Sequence, residues 1–337
     1  MTSKQVLTFG SKFRITLSGA SHENTVGVTI EGLPAGVDLC GEDFEKDLSR
    51  RRPSGEGTTA RVEDDKPEFE GGMLKCVDGS FVTDGKPLTI KFANRNIRPE
   101  DYDRFAAIPR PGHADFTSMI KYGRTFSGGG IFSGRMTLPI VAAGVVAKQI
   151  IAPARISARL TEIGGVKAED EEAVSRAISQ AEEVGDSLGG VVECRCSDIP
   201  AGLGEPFFDS IESVISHAMF SIPGIRGVEF GDGFEASRMK GSEHNDPITD
   251  IYGTTAKNGC GGVNGGISNG NDIVFRVAVK PTSSIGKAQK TFDFEKREMA
   301  ELKIAGRHDT CFALRVPPVV EALAACVLAD FLSLAEN

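Results

Sequence analysis

The chain has 337 residues, of which 40% are hydrophobic, and it carries a formal net charge of −9. This length is enough for one large domain or two moderate ones with a sizeable core. An acidic chain is a poor candidate for a general nucleic-acid binder, because such proteins neutralise phosphates with excess lysine and arginine. The seven cysteines include no Cys-x-x-Cys pair, so the sequence predicts neither a disulfide framework nor a common zinc site.

The two ends of the sequence predict a cytoplasmic protein with no membrane partner. The N-terminal segment lacks the charged and apolar regions of a secretory signal. The apolar stretch 319–334 contains Glu321 and Asp330, and we expect it to be too short and too charged to span a bilayer.

Short strands and one helix are predicted for the first 92 residues. Alternation of apolar with polar or small residues, which indicates half-buried strands, occurs in residues 5–17, 26–30 and, in shorter pieces, 73–92. Asp84-Gly85 is expected to be a hairpin turn within the last of these stretches. Residues 42–50 favour a helix that ends before Pro53.

Two segments are apolar on nearly all sides, residues 136–152 and 319–334. A helix without a polar face must be covered all round, so both are predicted to be helices buried between layers. Residues 154–184 are polar and helix-prone, and we expect them to be peripheral.

The remaining elements are predicted from alternation and capping signals. Residues 191–196 and 272–280 favour strands, and Cys194 and Cys196 are expected on the core face of the first. Asp209 and Glu212 predict the capped start of a helix that runs to Phe220.

Two Pro-Ala-Gly triplets indicate an internal repeat. They begin at Pro34 and Pro200, and in both cases a strand precedes the triplet and a helix follows it. We therefore expect an α+β fold in which two similar halves, roughly 1–153 and 185–337, fold against each other as a single domain.

Residues 110–135 are the strongest candidate for a binding site. They combine the cations Arg110, Lys121, Arg124 and Arg135 with His113 and three consecutive glycines, and they contain one acidic residue. Arginines bind carboxylate or phosphate with paired donors, and glycines allow close backbone approach, so the segment predicts an anion site. An ordinary charged surface loop is the alternative.

Two other segments have a functional and a structural interpretation. Arg50, Arg51 and Arg52 are either an anion clamp or a solvated helix end. The hydroxyl-rich segment 280–284, with Arg307 and the glycine-rich loop 259–270, either cradles a phosphorylated cofactor or is a set of flexible loops. Neither a G-x-G-x-x-G fingerprint nor a complete phosphate loop is present.

Three of the five histidines, His22, His113 and His308, lie in polar turns, which favours a role in proton transfer near neutral pH. No histidine or cysteine spacing indicates a metal ligand set. His217 is predicted to be structural or exposed, and His244 has no predicted role.

Ordered motifs run through nearly the whole chain. They include Gly19-x-Ser-His22, Arg50-Arg-Arg-Pro53, Arg110-Pro-Gly-His-Ala-Asp115, Gly128-Gly-Gly130, Lys280-Pro-Thr-Ser-Ser284 and Gly306-Arg-His-Asp309. Together they resemble the chorismate synthase family. The resemblance implies a β-α-β sandwich with long central helices between antiparallel sheets, and a homotetramer.

The resemblance also implies a reaction, the 1,4-elimination of phosphate from 5-enolpyruvylshikimate 3-phosphate to give chorismate. It implies reduced FMN as cofactor and leaves open whether NADPH reduces the flavin. In this pattern His22 protonates the departing phosphate, His113 protonates the reduced flavin, and Asp309 assists proton removal.

By the same resemblance, Arg51 and Arg135 contact the substrate, with Arg50 and Arg52 as neighbours. The implied FMN-binding residues are Ser133, Gly265, Lys280, Pro281, Thr282, Ser283, Ser284 and Arg307. The sequence departs from the family after the triple glycine, where Ile131, Phe132 and Met136 replace an arginine, a serine and a glutamate of the usual pattern. A flavin- or anion-binding relative that has lost turnover is therefore the alternative to an active enzyme.

Overall fold

The structure is a computed structural model that describes residues 7–53, 55–59, 64–76, 80–95, 105–304 and 308–335. Its strands are β1 (Thr8–Phe9), β2 (Arg14–Gly19), β3 (Thr25–Glu31), β4 (Ala35–Leu39), β5 (Glu68–Glu70), β6 (Met73–Lys75), β7 (Phe81–Asp84), β8 (Leu88–Ala93), β9 (Arg155–Ile163), β10 (Val166–Lys167), β11 (Gly190–Ser197), β12 (Ile225–Phe230), β13 (Val263–Asn264), β14 (Ile267–Ser268), β15 (Ile273–Val279), β16 (Gln289–Asp293) and β17 (Glu298–Leu302). Its α-helices are α1 (Gly41–Arg51), α2 (Asp115–Tyr122), α3 (Thr137–Ile150), α4 (Glu171–Glu183), α5 (Ile211–Phe220), α6 (Gly241–His244) and α7 (Pro317–Ala335).

Two five-stranded antiparallel sheets form the outer layers. The first has the order β1-β2-β3-β8-β5, and the second has the order β10-β9-β11-β15-β12. In β3 the side chains of Val26, Val28 and Ile30 are fully buried, as the alternation in the sequence predicts. Cys194 and Cys196 are buried on the core face of β11, which confirms their predicted placement.

Helices α3 and α7 form the central layer. Both are buried along nearly their whole length, and they pack against each other and against the inner faces of the sheets. Their apolar composition on all sides is the physical cause, because a helix covered by layers on both faces has no side left for polar residues. The predicted α+β sandwich with long central helices is confirmed.

The two sheets repeat the same topology. In each, a helix (α1 or α5) follows the middle strand (β3 or β11), and the chain then forms an edge strand (β5 or β12). The strand beside the middle one (β8 or β15) comes next and is followed by the long central helix (α3 or α7). The predicted internal repeat is therefore present in strand order as well as in sequence.

The two Pro-Ala-Gly turns are held in the same way. The Thr83 hydroxyl donates to the Pro34 carbonyl at 2.6 Å and accepts from the Val37 N–H at 2.9 Å. The Ser268 hydroxyl donates to the Pro200 carbonyl at 2.7 Å and accepts at 2.9 Å from the N–H of the residue three positions after Pro200. Each buried hydroxyl satisfies one carbonyl and one amide that the turn removes from sheet pairing.

Residues 154–184 differ from the prediction in their first part. Residues Arg155–Ile163 form β9, which lies inside the second sheet between β10 and β11, so the predicted polar peripheral helix is wrong there. Charged and hydroxyl side chains on the outer face of β9 alternate with Ile156, Ala158 and Leu160 on the inner face. The outer charges gave the segment a polar composition that concealed its period of two. Only α4 fits the predicted helix.

Three smaller expectations are also corrected. Asp84-Gly85 does not close a hairpin, because β7 pairs with β4 and β6 whereas β8 belongs to the first sheet. The cap of α5 is Ser210, whose hydroxyl accepts from the Ser213 N–H, and not Asp209. Helix α7 has 19 residues and is long and apolar enough, by composition, to span a membrane. However, 78% of its most apolar 18-residue stretch is buried inside the protein.

Candidate active site

Arg51 lies in the last turn of α1 and is fixed by the start of the central helix layer. Its Nε donates to the Thr137 hydroxyl at 2.9 Å, and its Nη2 donates to the Gly134 carbonyl at 2.9 Å. Helix α1 buries Phe44 and Leu48 on the same face, and this packing carries the Arg51 side chain inward.

Arg135 meets Arg51 across one buried carboxylate. The Nη1 of Arg135 donates to Asp65 at 2.5 Å, and the other Asp65 oxygen is 3.7 Å from Nη1 of Arg51. The Nε of Arg135 donates to the Asn94 side-chain oxygen at 2.9 Å. Arg51, Asp65 and Arg135 are all buried. The two predicted substrate arginines are therefore neighbours with fixed orientations.

Burial lowers the pKa of Arg51. Loss of solvent is the largest effect and the nearby Arg315 guanidinium the next, and together with Arg135 they lower the pKa of Arg51 to about 9. The carboxylates of Asp65 and Asp309 act in the opposite direction and raise that pKa. The cluster thus concentrates cations in a region with little water, where an incoming anion would be strongly attracted.

Asp309, a predicted catalytic residue, borders this arginine pair. Its carboxylate accepts from Arg315 at 3.1 Å and from the Thr59 N–H at 2.8 Å. The Nε of Arg315 donates to the Arg51 carbonyl at 2.8 Å. These bonds join the segment after Arg307 to the end of α1.

His113 and the segment 280–284 form the other side of the site. The Nδ1 of His113 donates to the Pro111 carbonyl at 3.1 Å, and its Nε2 is 2.7 Å from the Ser284 hydroxyl. The Lys280 ammonium donates to the Gly112 carbonyl at 2.7 Å and to the Ser283 hydroxyl at 2.5 Å. The predicted loop of the first half and the predicted loop of the second half therefore meet directly.

His113 is a neutral imidazole at pH 7 in this arrangement. Burial, the main cause, and the Arg110 guanidinium lower its pKa to about 4. Arg110 is held in place by Asp115, which accepts from its Nε and Nη2 at 2.7 and 2.8 Å. The neutral ring donates through Nδ1, so its Nε2 accepts a hydrogen bond from the Ser284 hydroxyl.

His22 lies against the triple glycine. Gly128, Gly129 and Gly130 all have positive φ, and a Cβ on Gly128 would be 2.2 Å from the His22 ring. The Asn94 amide that orients Arg135 also donates to the carbonyl of Glu23 at 2.7 Å, so the turn that carries His22 is tied to the arginine pair. Glycine is required at position 128 because a side chain there would displace the imidazole.

His308 connects the two sides of the site. Burial and then the Arg110 guanidinium lower the pKa of His308, whereas the adjacent Asp309 raises it. Arg110 thus influences both His308 and His113. The Nε2 of His308 is buried and has no hydrogen-bond partner among the described residues.

Not every predicted residue is brought to this cluster. Arg50 points away and donates both its Nη groups to buried Glu321 at 2.7 Å, and Arg52 forms a two-bond ion pair with exposed Glu45. Gly265 lies at the tip of the β13–β14 hairpin, which contacts the start of α5. Arg307 lies outside the described residues.

The remaining predicted cofactor residues do lie beside the cluster. The Ser133 hydroxyl accepts from the Arg135 N–H at 3.2 Å. Pro281 packs beside Gly189, and the Thr282 carbonyl accepts from the Ser187 hydroxyl at 2.7 Å. The Thr282 hydroxyl is buried without a partner among the described residues, so it is available to a ligand.

Phe132, one of the departures from the family pattern, joins a small aromatic cluster. Its ring centroid is 5.8 Å from that of Phe126 and 6.3 Å from that of Tyr122. The Arg124 guanidinium lies over the Phe126 ring at 4.7 Å, so a cation is still present on this loop.

Sequence reasoning missed three residues that hold the site together: Asp65, Asn94 and Arg315. Asp65 follows a run of mixed charges that has the composition of a solvated loop, so its burial could not be predicted from the sequence. Arg315 could have been found, because it is a lone cation between apolar Leu314 and Val316, just before a buried helix. Asn94 follows a strand and is unremarkable in composition.

Comparison with known proteins identifies the family. A sequence model described as chorismate synthase matches residues 13–333. The chain belongs to the chorismate synthase family. The chorismate synthase of Chitinophaga pinensis is 51% identical over 332 residues, which cover 98% of this chain and 97% of that protein. The chorismate synthase of Methanosarcina acetivorans is 42% identical over 96% of this chain and 94% of its own length.

The fold agrees with that assignment. A solved crystal structure of chorismate synthase superposes with a TM-score of 0.72 at 27% identity, covering 96% of this chain and 92% of the other. The predicted enzyme class, a lyase of the chorismate synthase family, is confirmed by the family match and the relatives.

Proposed function

We propose that this chorismate synthase family member eliminates phosphate from 5-enolpyruvylshikimate 3-phosphate to form chorismate, with reduced FMN bound. The observation that carries the proposal is the convergence of distant segments. Arg51, Arg135 and Asp309 lie together on one side, and His113 contacts the segment 280–284 on the other. Arg110 interacts with both His113 and His308, so the two sides are continuous.

The charges of the site suit this substrate. It carries two carboxylates and a phosphate, and such a ligand requires several arginines with fixed donor geometry. Arg51 and Arg135 are oriented by Thr137 and Asn94, which accept from their Nε groups. Because protein groups hold both guanidinium groups in this orientation, less freedom is lost when a ligand binds.

The segment 280–284 fits a phosphorylated cofactor. It offers the Lys280 ammonium and the hydroxyls of Thr282, Ser283 and Ser284, and the first of these hydroxyls is buried without a partner among the described residues. A Cβ on Gly112 would be 2.9 Å from the Ser283 hydroxyl. The backbone of Gly112 therefore lies close to the hydroxyls of this segment, with no side chain between them. When bound, reduced FMN supplies an electron-rich ring that assists phosphate departure and accepts the proton.

The two histidines are suited to holding and moving protons. His113 is neutral, and its Nδ1–H donates a hydrogen bond to the Pro111 carbonyl. An anion placed beside the ring would raise the pKa of His113, so that the ring could bind a proton and act as an acid. His22 faces the triple glycine beside the arginine pair, and we assign it the proton for the departing phosphate. Asp309 accepts hydrogen bonds from Arg315 and the Thr59 N–H, and we assign it the role of assisting proton removal.

Three finer points belong to the same proposal. We expect the protein to act in the cytoplasm as a homotetramer with neither a membrane nor a nucleic-acid partner. NADPH is a candidate reductant for the flavin. Measuring flavin reduction by NADPH in the purified protein, without a second reductase, would decide that question.

A flavin- or anion-binding relative without turnover is the second candidate. Ile131 in place of the usual arginine favours it, because one flavin-side cation is missing. The cation of Arg124 on the neighbouring aromatic cluster weakens that argument.

The decisive experiment is an anaerobic assay with the purified protein, reduced FMN and 5-enolpyruvylshikimate 3-phosphate, followed by chorismate absorbance. The proposal predicts chorismate and phosphate in equal amounts. Flavin binding without any product would leave only the second candidate.

A further inference from the structure

Asp65 is a buried carboxylate to which neither the sequence motifs nor the proposed mechanism gives a role. It is 4% exposed, and its two oxygens face two different cations. One oxygen accepts from Nη1 of Arg135 at 2.5 Å, and the other is 3.7 Å from Nη1 of Arg51. The carboxylate therefore bridges the two arginines that we assign to the substrate.

Without this bridge, the two arginines would repel each other. Arg51 already faces the positive charges of Arg315 and Arg135, and among the described residues the carboxylates of Asp65 and Asp309 support its charged form. Asp309 is engaged by Arg315. Unit charges a few ångströms apart interact strongly in a poorly solvated region, so the position of each guanidinium depends on Asp65.

The backbone also indicates that Asp65 has a specific role. Its φ is +45°, a conformation that most side chains disfavour and that aspartate and asparagine tolerate. The fold therefore places this carboxylate between the arginines despite a backbone cost. The same fact makes asparagine a suitable replacement, because it keeps the shape and the backbone conformation and removes only the charge.

We propose that Asp65 is a positioning residue that holds the guanidinium groups of Arg51 and Arg135 at a fixed spacing for a carboxylate or phosphate group of the substrate. This inference rests on the proposed function, because it takes the arginine pair as the substrate site. Asp65 acts through the arginines and has no chemical step of its own.

The test is a comparison of Asp65→Asn with the unaltered protein in the anaerobic chorismate assay. We expect the KM for 5-enolpyruvylshikimate 3-phosphate to rise about tenfold or more, with kcat changed by no more than about threefold, because uniform binding is lost. The affinity for FMN, measured by fluorescence titration, should stay within about twofold, since the ion-pair partners of Asp65 among the described residues are Arg51 and Arg135. Local unfolding alone would lower the active fraction, and hence kcat, without raising KM.

Asp47→Asn is the matched control. Asp47 is also a buried aspartate with a cationic partner, Lys148 at 2.6 Å, but it lies at the contact of α1 with the central helices. We expect this variant to unfold at lower urea concentration and to keep the KM of the unaltered protein. An unchanged or lowered KM in Asp65→Asn would overturn the inference.

A second variant and a binding measurement test the inference if the first comparison fails. If Asp65→Asn does not fold, Asp65→Glu keeps the charge but moves the carboxylate by one methylene, and an unchanged KM in that variant would overturn the proposal. If the unaltered protein forms no chorismate, the proposed function fails on its own. Calorimetric binding of 5-enolpyruvylshikimate 3-phosphate then decides the inference, which requires weaker binding by Asp65→Asn.

Discussion

Burial and neighbouring cations determine the protonation of individual side chains in this site. His113 has lost most of its solvent and lies beside Arg110, so its neutral form is favoured. Arg51 is fully buried but remains next to two carboxylates. At the scale of single residues, the site therefore combines a neutral imidazole with fixed guanidinium groups, and each depends on a partner from a distant part of the chain.

His113→Ala should fold normally and lose most turnover. General acid–base groups contribute about a hundredfold or more to rate, and this variant removes the imidazole and its bond to Ser284. The anaerobic chorismate assay measures the loss. His244→Ala is the control, because His244 pairs with Asp232 outside the cluster and should leave the rate unchanged. An unchanged rate in His113→Ala would remove this histidine from the mechanism.

His113 should also make the fold sensitive to acid. Its folded-state pKa of about 4 lies below the ordinary value of 6.5, so the unfolded chain binds more protons between these values. This contribution to stability is complete above about pH 6.5, is lost as the pH falls toward about 4, and amounts to at most about 3 kcal/mol. Urea unfolding at about pH 7 and about pH 4.5 tests it. His113→Gln should lose less stability over this range than the unaltered protein, and equal losses would contradict the assignment.

At the scale of elements, the contact between α3 and α7 determines how closely the two halves approach. Gly144 on α3 faces Ala322 on α7, and a Cβ at Gly144 would be 2.2 Å from the Ala322 Cβ and 2.4 Å from its Cα. The helices cross at two small residues, so their backbones are unusually near. The same helix begins at Thr137, whose hydroxyl orients Arg51.

Gly144→Ala should therefore destabilise the protein. Alanine is the better helix former by about 1 kcal/mol, but overpacking against a backbone costs about 1–3 kcal/mol or more, and here the steric effect should win. The free energy of unfolding in urea measures the change. Gly241→Ala should change it by less than about 0.5 kcal/mol, because an added Cβ there would have no atom of a more distant described residue within 4 Å. A more stable Gly144→Ala variant would mean that the helices can separate freely.

A buried ion-pair network ties α1 to both central helices. Glu321 on α7 accepts from Arg50 at 2.7 Å, from Lys148 at 2.8 Å and from the Ala158 N–H at 2.7 Å. Removal of Glu321 leaves Asp47 as the acidic partner of both cations but takes the acceptor from the Ala158 N–H. Glu321→Ala should therefore lower the free energy of unfolding by about 1–3 kcal/mol. Glu172→Ala, which breaks an exposed pair with Arg176, should cost less than about 0.5 kcal/mol. A small loss in Glu321→Ala would show that Arg50 and Lys148 are solvated.

At the scale of the whole molecule, the site is a product of two similar halves. The first half supplies Arg51, His113 and Arg135, and the second supplies Lys280 with its hydroxyl neighbours and Asp309. The second half also leaves large apolar side chains exposed, with Phe207 at 86%, Phe208 at 89% and Ile251 at 92%. Apolar surface of this kind favours association.

Because the family resemblance implies a homotetramer, we expect sedimentation velocity to show a particle of four times the 35.8 kDa chain mass. A double variant, Phe207→Ser with Phe208→Ser, should shift the protein toward smaller species, because it removes apolar area from the contact. Leu74→Ser, at an exposed position of β6, is the control. A monomer at micromolar concentration would contradict the predicted tetramer.

The sequence by itself determined the layers and many of the residue types in the candidate site. The period of two in β3, the apolar composition of α3 and α7, and the two Pro-Ala-Gly turns are local properties, so they could be predicted from the order of residues. The glycines beside His22 and the hydroxyls after Lys280 could also be predicted as site segments, because their residue types are visible in the local sequence.

Tertiary structure decided which of three adjacent arginines faces the site. Arg50, Arg51 and Arg52 have the same chemistry, but Glu321, Asp65 and Glu45 respectively take them in different directions. Strand β9 and the carboxylate of Asp65 were likewise hidden, because burial of a charge depends on partners that are distant in sequence. Local composition specifies what a segment can become, and long-range pairing of charges selects where its side chains point.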